Sequence, residues 1–310
     1  MVTVLGPQRP VAGLPVILDG LGVRGPCALI TAGWRHDEAR DEPIREEVKL
    51  DLRNLGLYGA FRRLEREDSE LISRYTARQN AVRRLKERYR AAIVPAIAAW
   101  RALSVPKVDP CPYLDQAVAN IQAIDRIFLE ESDRLHAAFE AEARPGRDPQ
   151  VRDEIERIHR ELSECDTVLL AGGHVGVLRN RMFFFGLEQM LRGKRIIAWS
   201  GGAMVLTERI VLFHDHTTYG VGLAEILDRG AGLIPDVVFF PHARERLLLT
   251  DPVNVALMAR RFAPARCVGL ENGAVLAGPR LANIGEREAA TVFEASGEIV
   301  PVRELHAPAA

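Results

Sequence analysis

The feature that most constrains this chain is a series of short apolar runs, each closed by Gly, Pro or a polar turn. They recur as Thr3-Val4-Leu5, Ala28-Leu29-Ile30-Thr31, Thr167-Val168-Leu169-Leu170, Arg195-Ile196-Ile197-Ala198 and Asp236-Val237-Val238-Phe239-Phe240. Runs that are apolar throughout, rather than at alternate positions, suit strands buried on both faces. Segments of helical length lie beside them, Phe183 to Arg192 before one run and Pro252 to Phe262 after another. Strand alternating with helix predicts an α/β fold with a parallel sheet covered on both sides. Towards the C-terminus, Cys267-Val268-Gly269-Leu270, Gly273-Ala274-Val275-Leu276, Leu281-Ala282-Asn283-Ile284 and Ala290-Thr291-Val292-Phe293 are separated by turn residues. They predict strands and hairpins closing the sheet edge.

Between about Pro43 and Arg144 the pattern changes to an Arg-, Glu-, Leu- and Ala-rich stretch without a strand-like run. Ser69 and Glu70 open a long helix in which Ile72, Tyr75, Val82, Leu85, Tyr89 and Ile93 recur at helical spacing, and Pro95 is expected to kink or end it. A second helix follows Pro112 and carries Ala117, Ile121, Ile124, Phe128, Leu135 and Phe139 on one side. Pro145-Gly146 terminates it, and Asp153 to Leu162 forms a further helix. The expected organisation is an α/β domain of residues 1–42 and 150–310 interrupted by a helical insertion, 43–149. An amphipathic stripe says only that something covers it, so a hairpin packed on itself, a lid and a dimerisation element all stay open.

Among 310 residues, 41 basic and 42 acidic side chains are interleaved, for a net charge of −1. No block of like charge marks a nucleic-acid surface, and no nucleic-acid partner is expected. Cys27, Cys111, Cys165 and Cys267 form no C-x-x-C pair and are expected to be buried free thiols. Met1 to Pro10 shows no basic region followed by an apolar run, and no stretch approaches the ~18 apolar residues of a membrane span. A cytoplasmic protein without a membrane partner is expected. His214 and His216 flank Asp215 but lack a defined third ligand, so neither a metal site nor a cofactor is assigned.

Two turns carry the chemistry. Ile196 to Trp199 runs into Ser200, and Gly201-Gly202-Ala203 then opens a helix. A sharp strand-to-helix turn exposes a serine hydroxyl and aims backbone N–H groups at a developing oxyanion. Ala198 stands where the usual nucleophile elbow has Gly, and taken alone the turn would also suit phosphate binding or helix capping. Leu170-Ala171-Gly172-Gly173-His174 makes a second Gly-rich turn, at the same carboxyl edge of a parallel sheet. Gly173 and Gly201 are thus the candidate oxyanion donors. His174 and Trp199 flank any substrate, and His242, just past the Phe240 strand, is the candidate base. His36, His136, His159 and His306 are expected at the surface.

Gly172-Gly173, Trp199-Ser200-Gly201-Gly202-Ala203, the segment Phe240-Pro241-His242-Ala243-Arg244-Glu245-Arg246-Leu247 and Gly269-Leu270-Glu271-Asn272-Gly273-Ala274 resemble the cyanophycinase and aspartyl dipeptidase (peptidase E) family of serine peptidases. The resemblance covers roughly residues 1–40 and 160–300. It implies a class I glutamine amidotransferase-like (flavodoxin-like) parallel-sheet sandwich with a large helical insertion. Ser200 is then the nucleophile and His242 the base. Glu271 is the preferred acid and Asp215, fifteen residues after the serine, the alternative. Arginines after the histidine hold substrate carboxylates in this family, which nominates Arg246 and Arg244. Phe240-Pro241 replaces the Asp-Gln that usually precedes the cyanophycinase histidine, which argues against cyanophycin itself. The expected substrate is a small peptide, isopeptide or amide with an acidic group, and a homo-oligomer fits the fold class. Glutaminase chemistry is disfavoured because no cysteine occupies the turn. The competing expectation is a silent scaffold that uses the insertion for self-association or partner binding.

Overall fold

Successive residues of the inner strands point to opposite sides of the main sheet, and both sides are buried. The computed structural model describes residues 1–8, 13–66, 70–104, 112–213 and 224–305. Strands β1 (Val2–Leu5), β2 (Cys27–Ile30), β3 (Leu52–Asn54), β4 (Thr167–Leu170) and β5 (Arg195–Trp199) run parallel in the order β1-β5-β4-β2-β3. After them come β6 (Arg209–Phe213), β7 (Ala224–Arg229), β8 (Val237–Pro241), β9 (Arg266–Leu270), β10 (Val275–Ala277), β11 (Ala282–Asn283), β12 (Ala290–Phe293) and β13 (Ile299–Pro301). β10 and β11 extend the sheet antiparallel beside β1, to seven strands. The fold is mixed α/β with a large, mostly parallel sheet.

Helices α1 (Leu14–Gly20) and α2 (Glu42–Val48) cover one side of that sheet, where Leu14, Leu18, Ile44 and Val48 meet Leu5, Leu29, Leu169 and Ile197. The alternate strand residues, Val4, Ile30, Leu170 and Ala198, belong to the larger core on the other side. That core also takes residues from α3 (Leu57–Arg66), α4 (Glu70–Ser104), α5 (Pro112–Ala143), α6 (Pro149–Ser163) and α7 (Val175–Phe184). The remaining helices are α8 (Leu187–Met190), α9 (Gly201–Leu206), α10 (Ala243–Arg246) and α11 (Pro252–Phe262).

Three expectations change. The region read as strand-free contains β3, which pairs with β2; its Leu-Arg-Asn sequence owes its conformation to the neighbouring strand rather than to composition. The C-terminal strands do not all close the main sheet. β9, β12 and β13 join β8 in a separate sheet ordered β13-β12-β9-β8, of which only β8–β9 is parallel. Nor does Pro95 end α4, which continues to Ser104. Ile93, Ile97 and Trp100 are buried on either side of the proline, and this packing outweighs the lost backbone hydrogen bond. Ser69, nominated as the start of this helix, lies outside the described residues, as do Cys111 and His306.

Tyr75 of α4 meets Phe139 of α5 while Tyr89 meets Phe128, so the two long helices run antiparallel. Charges tie the pair to β7. In β7 the register against β6 slips, Ile210 facing Asp228 and Val211 facing Ile226, which leaves Leu227 as a bulge. Residues three apart on a regular strand face opposite sides; the extra residue brings both Glu225 and Asp228 onto the helices. Arg90 Nε and Nη2 donate to the Glu225 carboxylate at 2.9 to 3.0 Å. Asp228 lies 2.7 Å from His136 Nε2 and 3.2 Å from Arg179. His136, expected at the surface, is therefore an inward-facing partner of a buried acid. Deeper still, Arg261 of α11 donates to both Asp125 oxygens at 2.6 and 2.7 Å and to the Tyr89 hydroxyl.

Candidate active site

Ser200 sits between β5 and α9 with φ 51° and ψ −122°, a conformation that costs a non-glycine residue about 1–3 kcal/mol and persists only where its surroundings enforce it. Here they do. The Ser200 N–H reaches the Leu5 carbonyl, and its own carbonyl accepts from Ala203 and Met204. The next strand end presses against the turn: a side-chain carbon at Gly172 would lie 2.8 Å from Ser200 Cβ. Gly173 has φ +114°, and its amide nitrogen would stand 3.4 Å from a side-chain carbon on Gly201. The two candidate oxyanion residues are thus backbone neighbours. Among the described residues neither the Gly173 nor the Gly201 N–H has a backbone acceptor, which leaves two donors without partners beside a half-buried serine.

The second sheet reaches the same edge through β1. Gly6, just after β1, packs so tightly on the Glu271 carbonyl that a side-chain carbon there would come within 1.8 Å. Leu270, the residue before, accepts the His242 N–H at 2.9 Å. Ser200, Leu5, Gly6, Glu271, Leu270 and His242 therefore form one connected band. His242 itself is left-handed, φ 57° and ψ 38°, and opens α10. Its Nδ1 lies 3.8 Å from Glu245 Oε2. Glu271 Oε1 instead accepts the Arg244 N–H at 2.8 Å, holding the turn that carries the histidine. Among the described residues no hydrogen bond joins Ser200 Oγ, the His242 ring and the Glu271 carboxylate. Asp215 lies outside the described residues.

His174 caps α7: its Nδ1 accepts the Val177 N–H at 3.2 Å, so the neutral ring carries its proton on Nε2. Trp199 is 6% exposed and packs in the core on the α1 side. The aromatic ring beside the oxyanion turn belongs to Trp34, whose Cδ1 would be 3.1 Å from a side-chain carbon on Gly173. Arg244 is exposed and donates from Nη2 to the Glu288 carbonyl, while Arg246 is half-buried and its N–H returns to the His242 carbonyl. Trp34 and its neighbour Arg35 carry no motif in the sequence. They reach the edge because β2 lies beside β4, a neighbour relation that only the sheet order supplies. Among the described residues, no group of three or more His, Cys, Asp or Glu is arranged to hold a metal ion. No described helix is long and apolar enough to cross a membrane.

No family model matches the chain, and no curated protein matches it. Among solved structures it resembles one described as the crystal structure of a peptidase from an acI-B1 Actinobacterium, with a TM-score of 0.45 at 12% identity over 99% of this chain and 94% of that one.

Proposed function

We propose that this chain is a serine hydrolase of the peptidase or amidase type, acting on a small peptide or isopeptide with an acidic group. The observation that carries the proposal is the strained Ser200 turn stacked on the Gly172-Gly173 turn, with the Gly173 and Gly201 N–H groups left without a partner among the described residues. In this mechanism Ser200 Oγ attacks the carbonyl carbon and its proton passes to His242. The carbonyl oxygen, now negative, is met by the Gly173 and Gly201 N–H groups. His242 returns the proton to the leaving nitrogen as the C–N bond breaks, and water, deprotonated by the same ring, then releases the acyl group. Glu271 is the acid assigned to orient the ring. Its Oε1 is occupied by Arg244, and among the described residues its Oε2 has no partner. Tightening of such contacts when substrate binds is common in this chemistry. His174 and Arg246 line the substrate side in this proposal, and the insertion narrows to α4 and α5.

A panel of acidic dipeptides and isopeptides tests the proposal. Turnover by the native protein should fall by roughly three orders of magnitude or more in Ser200→Ala. Equal turnover by both proteins would overturn it. The missing Ser200–His242 hydrogen bond favours the second reading, a silent scaffold, which predicts no turnover of any member of the panel.

A further inference from the structure

The strand end next to Gly173 holds a second strained residue. Arg35 has φ 64° and ψ −120°, nearly the conformation of Ser200, within a 3-10 segment, Ala32–Asp37, that breaks at this residue. Glycine would adopt this conformation without strain, yet the position carries the longest cationic side chain. The turn is fixed from several directions. Trp34 N–H bonds to the Thr31 carbonyl and Glu38 N–H to the Arg35 carbonyl. The hydroxyl of Thr31 and the amide of Asn54 both donate to the Glu38 carbonyl. Gly33, two residues before the arginine, touches the oxyanion turn, its carbonyl accepting the His174 N–H at 2.8 Å.

Arg35 also differs from the neighbouring arginines of this rim. Arg40 pairs with Asp37 at 3.0 Å and Arg45 with Asp41 at 2.7 Å. Arg35 is exposed and makes no ion pair among the described residues.

Its place in the strand order gives it a direction. Along the edge the sequence is β1-β5-β4-β2. His242 and Glu271 reach Ser200 from the β1 side, through Gly6 and Leu270. The leaving group takes its proton from His242 and so departs on that side, while the acyl group retained on Ser200 extends the other way, past Gly173 towards β2. We propose that Arg35 is a specificity-determining residue for the acyl side of the substrate, holding a carboxylate on the part that stays attached to Ser200. The inference rests on the serine-hydrolase reading for its orientation, and it assigns acyl-side charge selection to the β2 end rather than to Arg244 and Arg246 beside the histidine.

Binding to the Ser200→Ala protein isolates this role from turnover. Calorimetry with Asp-Leu and its neutral isostere Asn-Leu should show a preference for the acidic dipeptide of about tenfold or more. Arg35→Gln should abolish the preference. Arg35→Gly should abolish it too while holding or raising the melting temperature, because glycine relieves the strained backbone; a merely structural arginine would leave dipeptide binding intact in this variant. Absence of a preference in the parent, or its survival in either Arg35 variant, would overturn the assignment. Labelling of the native protein by a neutral fluorophosphonate reports separately on the hydrolase reading. A labelled Ser200 without charge preference sinks Arg35 alone, and charge preference without labelling leaves Arg35 a binding residue and sinks the hydrolase.

Discussion

The sheet edge around Ser200 and the seam between β7 and the α4–α5 pair are built from opposite materials. At the edge, main chain packs on main chain: glycines remove side chains, strained dihedrals set direction, and the Gly173 and Gly201 donors have no partner among the described residues. At the seam, side chains do the joining, through Glu225 with Arg90, Asp228 with His136 and Arg179, and Asp125 with Arg261. Donors left open at a sheet edge are free to meet a ligand, whereas the seam sets its buried acids against cations.

Removing one partner at the seam should therefore give the largest loss of stability. Asp125→Ala would strand Arg261, whose side chain is 1% exposed, and should cost about 3–5 kcal/mol in urea unfolding while leaving turnover per folded molecule unchanged. A cost below about 1 kcal/mol would mean that the charge is not enclosed. At the edge the corresponding break is steric. A side-chain carbon at Gly202 would fall 2.3 Å from the Leu170 carbonyl oxygen, so Gly202→Ala should destabilise by about 1–3 kcal/mol and, unlike the seam variant, slow any reaction of Ser200 in the protein that remains folded. Normal reactivity would contradict the view that backbone contact shapes the site.

How far each region was legible in the sequence follows the same division. β1, β2, β4, β5 and β8 announced themselves as apolar runs, and the glycines around Ser200 stand within a few residues of what they touch in sequence or at the end of an adjacent strand. Glu225 and Asp228 disguised β7, because acids in a strand look wrong until Arg90 and His136, about a hundred residues away, neutralise them. The Leu227 bulge that aims both acids inward depends on the β6 register and has no signature of its own. For the same reason Trp34 and Arg35 carried no signal in the sequence while the Ser200 turn did: a turn is local, but the neighbour of a strand is not.

A smaller effect separates the regions by pH. Burial opposes ionisation of Asp228, but the hydrogen bond with His136 and the charge of Arg179 outweigh it, and its pKa falls below the usual carboxylate value. Such a group contributes stability above its unfolded pKa of about 3.9 and loses that contribution as pH falls towards its lower, folded value. The native melting temperature should accordingly drop more steeply below about pH 4 than that of Asp228→Asn. Parallel curves would remove Asp228 from the acid response. The smallest change belongs to an exposed pair: Arg24→Ala, which frees Asp19 at 2.8 Å, should alter stability by less than about 0.5 kcal/mol. A larger shift would show that exposed charges matter here as much as enclosed ones.

The most direct test of the central claim is intact-mass and peptide mapping after treatment with a small neutral fluorophosphonate. A single adduct on Ser200, absent in Ser200→Ala and formed far more slowly in His242→Ala, is the predicted result. No adduct on the folded native protein, or one that persists when Ser200 is replaced, would contradict it.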